Sequence, residues 1–191
     1  MLEEIFISKT RVKILTLFFT HLTERFHVRE ITRQVDEEIN AVRRELDRLY
    51  KAGFFKREKQ GNKVCYSLRK ESPLFPEILR MIAKETGLGK SLIKEAKNIG
   101  KVKYMMLSAH LLYGRVASQN EVDLLLVGSP SQAKVAGIVK EAEKFYGHEI
   151  NYAIFSEEEF DFRKKRYDPF INSVLMQPRV MLLGDEVEFI A

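Results

Sequence analysis

Side chains able to read nucleic-acid bases cluster in one stretch, where Asn40, Arg43, Arg44 and Arg48 recur in NAVRRELDR. Arginine can donate two parallel hydrogen bonds to guanine and asparagine can pair with adenine, so these types suit base readout from a helix. Asn40, Arg43 and Arg44, nearest the N-terminal half of such a helix, are the better candidates for the groove floor. Just beyond them, KREKQGNK supplies Lys56, Arg57, Lys59, Asn62 and Lys63. These suit phosphate contact or a minor-groove probe, which set affinity and salt dependence more than specificity. The alternative is a solvated surface on which Arg43, Arg44 and Arg48 pair with Glu45 and Asp47. The acidic run Asp36, Glu37 and Glu38 favours a helix N-terminus but repels phosphate. A second chemistry is written in Glu121-Val122-Asp123. Two carboxylates at i and i+2 of a strand point to one face, where they could share a pair of metal ions. His110 is a lone histidine that could serve as a base, or simply pack.

These side chains need elements to position them. Ser8 suits the N-cap of a first helix whose buried side is Val12, Ile14, Leu15, Leu17 and Phe18 and which ends near His21–Arg25. A second helix is predicted over 28–35, with Ile31 and Val35 facing inward and Asp36–Glu38 as the turn and cap that follow. A third runs from Glu37 to Ala52: Ile39, Val42, Leu46 and Leu49 recur at helical steps and Gly53 stops it. FFKREK and KVCYSLR then alternate around Gln60-Gly61-Asn62, a hairpin with a glycine turn. Helix–turn–helix plus hairpin is the order of a winged helix. VREITRQV, NAVRRELDRLYKAGFF and KREKQGNKVCYSL resemble the ArsR-like bacterial and archaeal regulators over residues 5–70. The resemblance implies double-stranded DNA as partner. After Pro73 and Pro76, PEILRMIAKETG and LGKSLIKEAKNIG predict two helices. In winged-helix regulators a helix at this place often pairs with its two-fold mate, so a homodimer is expected; a spacer is the alternative.

From Lys101 onward strands and helices alternate: VKYMMLSA, EVDLLLVG and HEINYAIFS read as strands, QAKVAGIVKEAEKFYG as a helix, SEEEFDFRKKRYDPFINSVLMQ as one further helix, and PRVMLLGD as a closing strand. Residues 100–187 resemble the minimal nucleotidyltransferase domain of the DNA polymerase β superfamily. In that family a Gly-Ser pair holds phosphates, a carboxylate triplet binds two magnesium ions, and a third carboxylate stands on the next strand. Glu121-Val122-Asp123 and the LLLVG that follows match, and so does Gly114. The Gly-Ser pair falls on Ala109-His110, and the third carboxylate falls near Asn151 or Tyr152. A Cβ stands where backbone should approach phosphate, and an amide binds magnesium poorly. The domain is therefore expected to be degenerate, with no cofactor required; Mg2+ or a nucleotide is what the resemblance would place there, held by Glu121 and Asp123.

The bulk numbers agree with this division. Across 191 residues the net charge is +5, with 45% hydrophobic and 31% charged residues, ordinary for a globular protein. Residues 1–70 hold 16 Lys and Arg against 10 Asp and Glu, while 71–191 hold 16 against 17, so the positive excess lies in the first third. No apolar run nears the roughly 20 residues that span a bilayer, and MLEEIFISKTR is acidic rather than a signal peptide. A cytoplasmic protein with no membrane partner is expected. Cys65 stands alone, so no internal disulfide forms and it should pack as a small hydrophobe. The expected fold class is α+β: a winged helix-turn-helix over 1–70, a helical connector over 71–100, and an α/β nucleotidyltransferase-like domain with a small mixed sheet over 101–191. The expected function is sequence-specific, DNA-binding transcription regulation, with the second domain as scaffold or sensor of an unidentified small-molecule or nucleotide effector. Alternatives are an active nucleotidyltransferase using Glu121 and Asp123, or a protein-interaction module of a toxin–antitoxin-like pair.

Overall fold

The computed structural model describes residues 2–116, 118 and 121–191. The chain divides into two compact units, Met1–Glu85 and Thr86–Ala191, and its class is α+β. No helix among the described residues is long and apolar enough to cross a membrane.

Unit 1 runs α1 (Leu2–Ile5), α2 (Lys9–Thr20), β1 (Phe26–His27), α3 (Val28–Val35), α4 (Ile39–Lys51), β2 (Phe55–Gln60), β3 (Lys63–Leu68) and α5 (Phe75–Glu85). The Oγ of Ser8 accepts the Arg11 N–H at 3.2 Å and so starts α2. His27 caps α3, its Nδ1 accepting the Glu30 N–H at 3.1 Å. Asp36 turns the chain in the left-handed region at φ 50°. The Glu38 carboxylate then accepts the N–H groups of Asn40 and Ala41, so α4 begins at Ile39 rather than at Glu37. A side chain that closes the orphan amides of a helix N-terminus sits just outside the helix, which explains the later start. At the other end Gly53, at φ 78°, lets the Phe54 N–H reach the Leu49 carbonyl at 3.0 Å.

Ile14, Phe18, Ile31, Val42, Leu46 and Phe55 are fully buried in this unit. The Phe18 ring meets Phe26 edge-on at 5.2 Å and Phe55 at 4.5 Å, fastening α2 to the sheet. That sheet has the order β1-β3-β2, all antiparallel. Gln60 pairs with Lys63, leaving Gly61-Asn62 as a two-residue turn with Gly61 at φ 57°. Cys65 is half-buried on β3, its Sγ 3.6 Å from Oε1 of Gln60. Helices α2, α3 and α4 with a small sheet ending in a two-stranded hairpin make this unit a winged helix-turn-helix. Helix α5 lies on α2, where Phe75 meets Phe19 at 5.1 Å.

Unit 2 runs α6 (Gly87–Glu95), β4 (Gly100–Ser108), α7 (Ala109–Leu112), β5 (Leu124–Pro130), α8 (Gln132–Tyr146), β6 (Tyr152–Phe155), α9 (Glu157–Lys165), α10 (Pro169–Met176), β7 (Arg179–Leu183) and α11 (Glu186–Ile190). The sheet order is β6-β5-β4-β7; β5 and β6 are parallel and the other pairings antiparallel. Alternation along the central strands splits the core in two. Met105, Leu107, Leu124 and Leu126 meet Leu88, Leu92, Val135 and Val139 of α6 and α8. Tyr104, Met106, Leu125 and Val127 meet Phe160, Ile171, Val174 and Phe189 of α9, α10 and α11. Covered on both faces over Leu124–Val127, the first half of β5 must be apolar, hence the unbroken run LLLV.

The structure corrects three sequence expectations here. The segment after β6 is two helices, not one: Tyr167 takes φ 55°, and Asp168 accepts the N–H groups of Phe170 and Ile171 to restart the chain with Pro169 at the first turn. The chain does not close on a strand, because Asp185 caps a further helix, α11, after β7. Finally, Glu121-Val122-Asp123 precedes β5 instead of lying on it, so strand alternation does not govern where its two carboxylates point.

Candidate functional site

Helix α4 divides its residues between core and solvent at helical spacing. Val42, Leu46 and Leu49 are buried, while Asn40, Arg43, Arg44 and Arg48 are exposed on the opposite side. Among the described residues the guanidinium groups of Arg43 and Arg44 have no hydrogen bond or ion pair. The other two are partly engaged. Asn40 Nδ2 donates to Oε1 of Glu38 at 3.0 Å, and Arg48 Nη1 lies 3.0 Å from Oε1 of Glu45. The expected alternative of intrahelical pairing therefore holds for Arg48, while Asp47 pairs with Lys51 at 2.7 Å.

Glu45, expected on the solvated surface, is buried instead. It is 6% exposed within the apolar stripe of α4, and its Oε2 accepts from Nε of Arg11 on α2 at 2.7 Å. Burial pushes its carboxyl up, but the bonds from Arg11 and Ser8 and the charges of Arg11 and Arg48 outweigh that and hold it below the usual range. The signal was present: position 45 follows Val42 by three and precedes Leu49 by four, so an acid there must face inward.

In the wing, Lys59, Asn62 and Lys63 are exposed and, among the described residues, make no ion pair. Lys56 is bound to Glu71 at 2.9 Å, and the Arg57 guanidinium lies 4.5 Å from the centroid of the Tyr50 ring. Arg25 reaches Glu58 at 2.7 Å, removing the lone acid of the hairpin as an isolated charge. The acidic run ahead of α4 is also largely occupied. Glu37 is bound by Lys13 at 2.7 Å and by the Thr10 hydroxyl at 3.1 Å, and the Lys13 bond lowers its pKa first. Glu38 is held low by the backbone N–H groups it caps. Only Asp36 of the three faces solvent without such a partner among the described residues.

In unit 2 the expected phosphate-binding pair, Ala109-His110, opens the short helix α7. Ser108, which is buried, caps it by accepting the His110 N–H at 3.1 Å. Gly114 follows in a left-handed turn at φ 70°. Arg115 then joins two of the predicted site residues: its Nη2 donates to Oε1 of Glu121 at 2.5 Å and to Nδ1 of His110 at 2.6 Å. Arginine has only donors, so this histidine nitrogen accepts. Oε2 of Glu121 accepts the Ser118 N–H at 2.9 Å. With Arg115 the main cause and the Ser118 amide second, the Glu121 carboxyl is pulled down to about 2. His110 and Glu121 line a cleft of about 480 Å3 together with Pro169, Phe170, Ser173 and Gln177.

Asp123 takes a different role. It is fully buried, and its Oδ2 accepts the Asn151 N–H at 3.0 Å, while Oδ1 has no hydrogen-bond partner among the described residues. Burial raises its pKa, with the Asn151 amide opposing. Asn151, at the position expected for a third carboxylate, donates instead from Nδ2 to the carbonyls of Ser118 and Glu121 at 3.0 and 3.2 Å. Tyr152 is exposed on β6. Among the described residues no three His, Cys, Asp or Glu side chains gather as a metal site. Glu121 and Asp123, the residues that would hold a metal, are bound to separate protein partners.

No protein-family model matches the chain, and no curated protein matches it. Among solved structures, reduced HlyU from Vibrio cholerae N16961 is similar, with 23% identity over 42% of this chain and 77% of that chain and a TM-score of 0.33. The winged helix of unit 1 is established by its own strand order and helix packing.

Proposed function

We propose that the protein is a sequence-specific DNA-binding transcriptional regulator of the ArsR-like kind, in which α4 enters the major groove and the β2–β3 wing follows the backbone. The observation that carries this reading is the pair Arg43 and Arg44, exposed on α4 with no protein partner among the described residues. Lys59, Asn62 and Lys63 at the wing tip add a phosphate-binding element. The neutralised Glu37 and the capping Glu38 reduce the repulsion that the acidic run would otherwise impose. As a homodimer the protein would present two α4 helices to successive turns of double-stranded DNA.

Unit 2 is proposed as a scaffold or sensor derived from a nucleotidyltransferase-like shell. What supports the scaffold role is that Glu121 is bound to Arg115 and the Ser118 amide, and Oδ2 of Asp123 to the Asn151 amide. The test is a mobility-shift titration of the full chain with its own upstream region and with a random duplex, at two salt concentrations. Tighter, salt-sensitive binding to the upstream duplex is the expected result. Binding to neither duplex would refute the reading and send attention to nucleotide transfer with magnesium or to a protein partner.

A further inference from the structure

Unit 2 carries a second cavity, a groove of about 810 Å3 between α6 and α8, lined among others by Leu88, Gly137, Ile138, Ala142 and Phe145. Phe145 is 71% exposed there. Gly137 lies in the middle of α8, where glycine is among the poorest helix formers, yet a Cβ at this position would meet nothing within 4 Å. No described residue requires the bare backbone; a helix approaching from outside would. The charges on this side of α8 are arranged about the same point. Lys134 stands one turn before Gly137 and Glu141 one turn after Ile138, and both line the groove. A lysine in the first turn runs against the helix dipole, so α8 does not gain from it on that account. Lys134 reaches the Asn98 carbonyl at 2.7 Å and Glu141 reaches Lys144 at 2.6 Å, both at exposed positions.

We propose that this groove is the face through which two copies of the chain associate, α8 against α8, antiparallel, about a two-fold axis at Gly137–Ile138. Positions 134 and 141 are symmetric about that axis, so each Lys134 meets the Glu141 of the other copy. A parallel crossing would instead oppose like charges. Gly137 admits the close approach, and Phe145 becomes covered. This face gives a surface to the homodimer of the DNA-binding reading but does not need DNA, so the test is made without it and its failure leaves that reading to its own titration.

Sedimentation velocity of the full chain over roughly 1–200 µM should show a concentration-dependent dimer. Gly137→Leu should raise the dimer Kd at least about tenfold while leaving thermal unfolding unchanged or higher. Lys134→Glu and Glu141→Lys should each weaken the dimer, and the double variant Lys134→Glu/Glu141→Lys should return it to within about threefold of the original. A chain that stays monomeric throughout, a dimer indifferent to Gly137→Leu, or a double variant no better than the single ones would overturn the proposal. Should Gly137→Leu fail to fold, the charge-swap series decides alone.

Discussion

Arg43 and Arg44 differ from Lys59 and Lys63 in what their chemistry can distinguish. A guanidinium in the groove discriminates between base edges, whereas an ammonium at a phosphate only neutralises charge. Lys59→Ala and Lys63→Ala are therefore expected to weaken all DNA alike and to reduce the salt dependence by about one unit of log–log slope each, read from titrations at several salt concentrations. Glu45 matters through α4 rather than through DNA. Its carboxylate ties α4 to Arg11, so Glu45→Gln should lower stability by about 1–3 kcal/mol in denaturant unfolding at neutral pH. Because its folded pKa is lowered, that contribution is present above the ordinary glutamate value of 4.5 and fades as pH falls through the folded value. Wild type and Glu45→Gln should accordingly converge in stability in acid; a gap that persists there would count against this account. Asp123 has the opposite sign. Its folded pKa is raised, so its burial favours the native state below the ordinary 3.8 and weighs against it increasingly as pH rises through the folded value. Asp123→Asn keeps an oxygen for the Asn151 N–H and removes the buried charge, so at neutral pH the variant should melt at the same temperature or higher. A marked loss of stability would show that the carboxylate does more than accept that bond.

At the scale of elements, the parts read correctly were those with a strong local signal. Ser8, the Val42–Leu46–Leu49 period, Gly53 and Gly61 each mark a boundary or a face by their own chemistry, and the helices and hairpin of unit 1 lie where they point. Elements too short to show a period were not legible: β1 is two residues, and it exists because Phe26 and His27 find Tyr66 and Cys65 on β3. The break between α9 and α10 is written locally, since Asp168-Pro169 is a cap followed by a first-turn proline, and it outweighs the continuous pattern that predicts one helix. Asp168→Ala should cost about 1 kcal/mol in thermal unfolding, the usual loss when a helix is deprived of its N-cap. The site in unit 2 was the least legible. The nucleotidyltransferase resemblance pointed to Glu121, Asp123, His110 and Asn151, but only the fold reveals that Arg115 bridges His110 to Glu121 and that Asp123 turns to the Asn151 amide. Those contacts join residues across loops, where no periodicity relates one position to another.

For the whole molecule, the charge balance and the division into units tell one story. The positive excess belongs to the part of the chain that folds as a winged helix, while the remainder builds a two-faced sheet, with Glu121 bound to Arg115 and Asp123 to the Asn151 amide. The helices after the wing fall into different units, α5 packing on α2 and α6 joining the core beneath α8. The segment between wing and sheet thus supplies each unit with part of its own core. The central claim is that unit 1 reads DNA sequence through α4. Its most direct test compares the full chain with the variant Arg43→Ala/Arg44→Ala by fluorescence anisotropy, each titrated against the upstream duplex and a random one at the same salt. The account predicts that preference for the upstream duplex collapses by about tenfold or more, while affinity for the random duplex falls far less. Equal loss on both duplexes, or an unchanged preference, would contradict it.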